Sequence, residues 1–338
     1  MRIAVLDDYQ GLARAMADWD RLAATVDFFG DPIPAESLAA TLAPYEVIVL
    51  MRERTALSAD TLAQLPRLTL VVSTGMRNAS LDVAHLQRRG IPVSGTGVAG
   101  PGRTGPGGPG AGPGEGPGSE AGGGVSSTVE LAWALILALT KHVTSEDRAL
   151  RAGHWQTALA GGLGGRTLGL LGLGRLGAEM VAPARAFGME VIAWSAHLDP
   201  ARAHRLGATP VSADELYSRA DVLSIHLVLS QRTRHLIGAP ELARMRPSAV
   251  LINTSRAGIV DTDALVAALE AGEIAGAGLD VYDQEPLGAD DPILTAPNTV
   301  LTPHLGYATE ATLREMYEQV VEDIAAYLSG APIRLIEA

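Results

Sequence analysis

RTLGLLGLGRLG (166–177) is the stretch on which the reading of this chain turns. An apolar run of strand length passes directly into GLGRLG, and RLGAEMVAPARAFG continues with helical periodicity. Strand, glycine turn and helix follow one another in the order that a cradle for a dinucleotide pyrophosphate requires. Gly172 permits the tight turn, Gly174 lets the backbone approach the phosphates, and Gly177 lets helix and strand pack closely. The helix N-terminus then stabilises the anion. Gly172, Gly174, Arg175, Leu176 and Gly177 are therefore the candidate nucleotide contacts, set against the plainer alternative of a structural turn in a glycine-rich chain.

Outward from this turn the same alternation continues. Helix SSTVELAWALILALTKHV precedes it, and strands EVIAWS, ADVLSIHLVL, AVLINTS, IAGAGLDVY and TVLTPH follow, separated by helices such as TDALVAALEAG. The first hundred residues repeat the pattern, with strands RIAVLDD, VDFFG, YEVIVLM, LTLVVSTG and IPVSG between helices ARAMADWDRLA, AESLAATLA, SADTLAQL and SLDVAHLQRRG. Such alternation implies an α/β protein with parallel sheets and helical crossovers. A chain of 338 residues exceeds what one core usually supports, so two domains are expected. The last helix, TEATLREMYEQVVEDIAAYLSG, could cross back and make the first domain discontinuous. Between the two series, residues 100–124 hold thirteen glycines and five prolines and no large apolar side chain, the composition of a flexible insert. Its glycines do not recur at every third position, which excludes collagen.

Charge and composition narrow the function. With 38 acidic and 26 basic residues the chain carries a formal charge of −12, which argues against nucleic acid or an anionic membrane as partner. A small anionic substrate then needs a local cationic site. The apolar run VELAWALILAL (129–139) is too short to span a bilayer and reads as a buried helix. The start, MRIAVLDDYQ, reads as a first strand and not as a secretory signal, and the absence of cysteine fits a cytoplasmic setting. Nothing in the sequence asks for a metal.

The second strand of a dinucleotide fold usually ends in an acid that binds the adenosine ribose hydroxyls. Here that place, after EVIAW, holds Ser195. Losing the carboxylate removes the repulsion that rejects a ribose 2′-phosphate, and His197, Arg202 and Arg205 stand nearby as possible grips. NAD is the expected cofactor, with NADP open.

Three further motifs follow in order: NTSRAGIVD (253–261), GLDVYDQEP (278–286) and LTPHLGY (301–307). With the glycine turn they resemble the D-isomer-specific 2-hydroxyacid dehydrogenase family over nearly the whole chain apart from the insert. The resemblance implies two Rossmann-like domains. One is a flavodoxin-like, discontinuous substrate domain (1–99 and 308–338), and the other a doubly wound NAD(P)-binding domain (125–307), with the cleft between them. It implies Arg256 as the group that holds the substrate carboxylate and polarises the carbonyl, a task suited to a planar guanidinium. His304 is implied as proton donor and Glu285 as its partner, a carboxylate that favours the protonated imidazole. Asp280, Thr254 and Ser255 are implied as neighbours of the nicotinamide. Asp261 fits the blander role of a helix cap. Where family members have glycine, this chain has Ala257.

In the N-terminal half, STGMRNAS follows strand LTLVV at the point where members of the family it resembles use a glycine-containing loop to hold the substrate carboxylate through backbone N–H groups. Gly75, Met76 and Arg77 would supply that nest, and Arg77, Asn78 and Arg52 would add side chains. The implied reaction is reversible hydride transfer between a nicotinamide and C2 of a 2-oxo or 2-hydroxy acid, in a homodimer whose arm includes RAGHW (151–155). A dinucleotide-sensing corepressor on the same fold is the alternative.

Overall fold

Short leucine- and valine-rich runs form two parallel sheets in the computed structural model, which describes residues 1–97 and 126–338. The insert expected at 100–124 lies outside the described residues. Contacts group residues 1–97 with 308–338 as one unit and 126–307 as another.

The first unit holds β1 (Arg2–Val5), β2 (Thr25–Phe28), β3 (Val47–Leu50), β4 (Leu70–Ser73) and β5 (Val93–Gly95), in the order β2-β1-β3-β4-β5. This is the flavodoxin-like order, whose strands reverse direction of addition between β1 and β3. Helix Glu310–Leu328 packs against β4, β5 and the segment Ala13–Leu22. The chain beyond it runs antiparallel beside β5, with Gly95 N donating to Arg334 O (2.9 Å) and Ile336 N to Val93 O (2.8 Å). That covers a sheet edge that would otherwise expose unpaired backbone groups.

ARAMADWDRLA does not form the single helix its periodicity predicts. A helical turn at Ala13–Met16 gives way to extended backbone at Ala17 and a 3-10 turn at Trp19–Leu22. The Trp19 indole N–H donates to Ala13 O at 2.8 Å, the acceptor that the next helical turn would have used.

The second unit holds β6 (Thr167–Leu171), β7 (Glu190–Trp194), β8 (Thr209–Pro210), β9 (Val222–Ile225), β10 (Val250–Asn253), β11 (Gly276–Leu279) and β12 (Thr299–Leu301), in the order β12-β11-β10-β9-β6-β7-β8. It is doubly wound. Leu168, Leu170, Val222 and Ile252 pack under helix Ser127–Thr140 and its neighbours, whereas Leu171, Leu223, Ile225 and Leu251 pack under the helices of the opposite face. Each fully buried leucine or isoleucine contributes on the order of 1.5–3 kcal/mol, which explains strands that are apolar on both sides. VELAWALILAL lies within the buried helix Ser127–Thr140, and among the described residues no helix is long and apolar enough to cross a membrane. The helix after the glycine turn divides into Arg175–Glu179 and Val181–Ala186, because Pro183 has no N–H to return to Glu179.

Candidate active site

Because β10, β11 and β12 are adjacent and parallel, their registers fix what stands at their C-terminal ends. Asn253 aligns with Leu279 and Leu279 with Leu301. Arg256 therefore follows its strand by three residues, Asp280 by one and His304 by three, all at the same edge. At about 4.8 Å per strand, the exits of β10 and β12 are roughly 10 Å apart, a gap that a long arginine side chain can work across.

His304 Nδ1 lies 2.6 Å from Glu285 Oε2, and the two side chains are 26% and 23% exposed, shielded from bulk water yet reachable by a small molecule. Glu285 is itself fixed, since Oε1 accepts the Tyr282 N–H at 2.9 Å. The Tyr282 hydroxyl is bonded to the carbonyls of Leu279 (3.1 Å) and Thr302 (3.0 Å), tying the exits of β11 and β12 together. His304 sits at φ +54°, a left-handed conformation that costs a non-glycine residue about 1–2 kcal/mol. Asp280 holds it there. One carboxylate oxygen accepts from Thr302 Oγ1 (2.6 Å) and Leu305 N (2.7 Å), and the other from Gly306 N (2.9 Å). Burial pushes the Asp280 carboxyl above its ordinary range, opposed by these three bonds and by the neighbouring His304. Sequence reasoning gave Asp280 a nicotinamide contact only; the structure adds the shaping of the His304 turn.

Tyr307 was not among the sequence candidates. Its ring is buried and meets the imidazole edge-on, with centroids 5.7 Å apart. The signal was present in LTPHLGY, an aromatic residue three positions after the histidine, but no spacing rule says which way it points.

Arg256 leaves β10 through a turn built by Asn253, whose Oδ1 accepts Ser255 N (3.0 Å) and whose Nδ2 donates to Arg256 O (3.0 Å). Arg256 Nη1 donates to Ser255 O at 2.8 Å, and the Ser255 hydroxyl donates to Leu227 O. Asp261 caps helix Thr262–Glu270 through Ala264 N (3.1 Å).

At the exits of β6 and β9, where strand order reverses, the glycine turn fits a dinucleotide phosphate on two observations. A Cβ on Gly172, at φ +102°, would lie 2.6 Å from His226 O, and one on Gly177 would lie 2.2 Å from Gly172 O, so both positions need glycine for packing. A Cβ on Gly174 would meet nothing within 4 Å, which leaves the backbone open to an incoming group. At the end of β10 the Thr254 hydroxyl is buried without a hydrogen-bond partner among the described residues. Arg175 pairs with Glu179 (3.2 Å), and Leu176 packs partly buried under the sheet. Ser195 follows β7 in a stretch, 191–198, that contains no acid, and Gly172 N donates to Trp194 O (2.8 Å), which joins that exit to the turn. His226 lies just beyond β9 with Nε2 2.9 Å from Ser224 Oγ; burial pushes its imidazole down to about 4.

In the first unit, the loop after β4 is braced by Arg52, at φ +55°, whose N donates to Thr74 Oγ1 (2.9 Å) and whose Nη1 donates to Thr74 O (3.2 Å). Gly75 N closes onto Ser73 O (2.8 Å) and is thereby used within the loop. Met76 and Arg77 are exposed. Asn78 departs from the substrate-contact role expected of its side chain. It is buried, Nδ2 donates to Arg52 O (2.6 Å) and Ser73 Oγ (3.2 Å), and Oδ1 accepts Ser80 N (3.0 Å), so the amide clamps the loop instead.

Residues 133–306 match a family described as D-isomer specific 2-hydroxyacid dehydrogenase, NAD binding domain. A glyoxylate reductase of Aeropyrum pernix is 36% identical over 309 residues, which cover 88% of this chain and 84% of that protein. A D-3-phosphoglycerate dehydrogenase of Archaeoglobus fulgidus is 32% identical over 88% of this chain, but over only 52% of its own length. The crystal structure of a phosphoglycerate oxidoreductase from Vibrio cholerae O395 superposes with a TM-score of 0.85 at 33% identity, covering 98% of this chain and 100% of that one. The strand order, the glycine turn and these similarities agree: the chain belongs to the D-isomer specific 2-hydroxyacid dehydrogenase family and carries its NAD-binding domain.

Proposed function

We propose that this chain interconverts a small 2-oxo acid and the D-2-hydroxy acid, with Arg256, Glu285 and His304 as its catalytic groups. The observation that carries this reading is the His304–Glu285 pair at 2.6 Å, held at the edge of the sheet that carries the glycine turn. When bound, NAD supplies the hydride acceptor, and in reduced form the hydride donor. Gly172, Gly174, Arg175, Leu176 and Gly177 would hold its phosphates, Ser195 its adenosine ribose, and Thr254, Ser255 and Asp280 its nicotinamide end.

In reduction, Arg256 holds the substrate carboxylate and orients the carbonyl. Imidazole Nε2 of His304 gives its proton to the carbonyl oxygen while Nδ1 stays bonded to Glu285, which orients the ring. In oxidation the same nitrogen takes the hydroxyl proton. The amides of Met76 and Arg77, the Gly75 turn and the Arg52 guanidinium are proposed as carboxylate contacts from the first unit, the proposed substrate domain.

Relatives named glyoxylate reductase and D-3-phosphoglycerate dehydrogenase point to short 2-oxo acids with or without a phosphate as substrates. Oxidation of NADH with glyoxylate, hydroxypyruvate, pyruvate and 3-phosphohydroxypyruvate tests the reading. Turnover on at least one, abolished in His304→Ala, supports it; intact cofactor binding with no turnover on any would favour a dinucleotide sensor instead. Presence of the whole arginine, glutamate and histidine set argues against a loss of catalysis.

A homodimer in the cytoplasm completes the proposal. Helix Val143–Arg151 buries no residue of its own; Val143 and Leu150 on it, and Trp155 (78% exposed) and Leu159 (97%) after it, are exposed apolar side chains. Exposed apolar side chains so close in sequence support an interface there. Light scattering on a Trp155→Ser/Leu159→Ser double variant should give a monomer where the native chain gives a dimer.

A further inference from the structure

We propose that the adenosine end of the nucleotide site accepts a ribose 2′-phosphate through Arg202, so that the chain binds NADP(H) at least as well as NAD(H). The inference rests on the glycine turn being the dinucleotide cradle.

Two observations converge on one point. The first is the missing acid. A carboxylate at the end of the second strand accepts the ribose 2′-hydroxyl and repels a phosphate there, and Ser195 offers neither effect. The next acid, Asp199, is engaged in a helix cap. Its two oxygens accept Ala201 N (3.0 Å) and Arg202 N (3.2 Å) to cap helix Pro200–Leu206, and Arg205 Nη2 stands 3.8 Å from it.

The second observation is the position of a cation. Arg202 Nη1 donates to Leu173 O at 2.9 Å, and Leu173 lies between the first two glycines of the turn. The neighbouring Gly172 N is bonded to Trp194 O, and Ser195 follows Trp194. Arg202 is therefore anchored at the junction of the β6 and β7 exits, where the ribose of a bound dinucleotide lies. That bond uses one of the five donors of a guanidinium, and the others form a planar fork suited to a phosphate. His197 is exposed on the same connection, adding a group that can carry positive charge. A phosphomonoester bearing close to two negative charges would meet Arg202 and a serine hydroxyl, with no opposing carboxylate at the strand end.

The test is direct binding, read by the fluorescence of the reduced nicotinamide and by competition with 2′,5′-ADP and 5′-ADP. In the native chain, NADPH should bind at least as tightly as NADH, and 2′,5′-ADP should compete better than 5′-ADP. Arg202→Ala should weaken NADPH by about tenfold or more and NADH by less than about threefold. Because that variant also loses the bond to Leu173, Ser195→Asp serves as a second probe that keeps Arg202. It should reverse the preference towards NADH. NADPH binding more than about tenfold weaker than NADH in the native chain, or an equal loss of both in Arg202→Ala with no change of preference in Ser195→Asp, would overturn the proposal. Failure to bind either nucleotide would overturn it together with the cradle on which it rests.

Discussion

Asp280 accepts the backbone N–H of Gly306 at 2.9 Å, and through this bond and its partner from Leu305 one carboxylate holds the turn on which His304 stands. Replacing it by alanine leaves two backbone donors and the Thr302 hydroxyl without their acceptor in a largely buried place. Each unsatisfied group costs on the order of 1–3 kcal/mol. Asp280→Ala should therefore lower the unfolding free energy by about 3 kcal/mol or more in a denaturant titration, and kcat with it. A loss of activity with an unchanged midpoint would show that Asp280 acts on the cofactor and does not hold the turn.

The glycine turn offers a pair of substitutions with opposite expectations. A Cβ at Gly177 would lie 2.2 Å from Gly172 O, whereas one at Gly174 would meet nothing within 4 Å. Gly177→Ala should destabilise the second unit, with a loss above about 2 kcal/mol. Gly174→Ala should unfold within about 0.5 kcal/mol of the native chain yet bind NADH markedly less well, since the methyl group enters space meant for phosphate. Equal stability losses in the two variants, measured by calorimetry, would contradict this account of the cradle.

Burial of His226 makes a pH dependence whose sign is fixed. Its folded value, about 4, lies below the ordinary 6.5, so the unfolded chain takes up the proton first as pH falls. Its contribution to stability is complete above about pH 6.5 and is lost progressively down to about pH 4, amounting to about 3 kcal/mol. Equilibrium unfolding of the native chain and of His226→Asn across this window checks it. The variant should show a shallower acid loss; parallel curves would rule His226 out as the source.

Tyr307 packs edge-on against the His304 imidazole and is a positioning residue in this account. Tyr307→Phe keeps the ring and should retain most of kcat. Tyr307→Ala frees the imidazole to rotate and should lower kcat by about tenfold, with KM changing less. If phenylalanine does no better than alanine, the hydroxyl and not the ring edge is what matters.

The α/β class and the glycine turn could be read from the sequence because both depend on local period and spacing: RTLGLLGLG is strand β6 followed by its turn. The family resemblance of the motifs brought out Glu285 and His304, nineteen positions apart and bonded in the fold. What could not be read depends on side-chain competition. Trp19 takes the carbonyl that would have continued a helix, Asn78 turns its amide inward to clamp a loop, and Asp280 binds three donors on a segment more than twenty residues away. Periodicity holds no record of which acceptor a donor chooses, nor of where the Tyr307 ring points.

The most direct test of the central claim is the rate of NADH oxidation by a responsive 2-oxo acid in the native chain, His304→Ala and Glu285→Gln, with NADH affinity measured alongside. Proton donation by a positioned side chain is worth about 10²–10⁴-fold, so His304→Ala should lose that much kcat and Glu285→Gln a smaller part, both with unaltered NADH binding. Retention of kcat within about threefold in His304→Ala would contradict the assignment of this histidine as the proton donor.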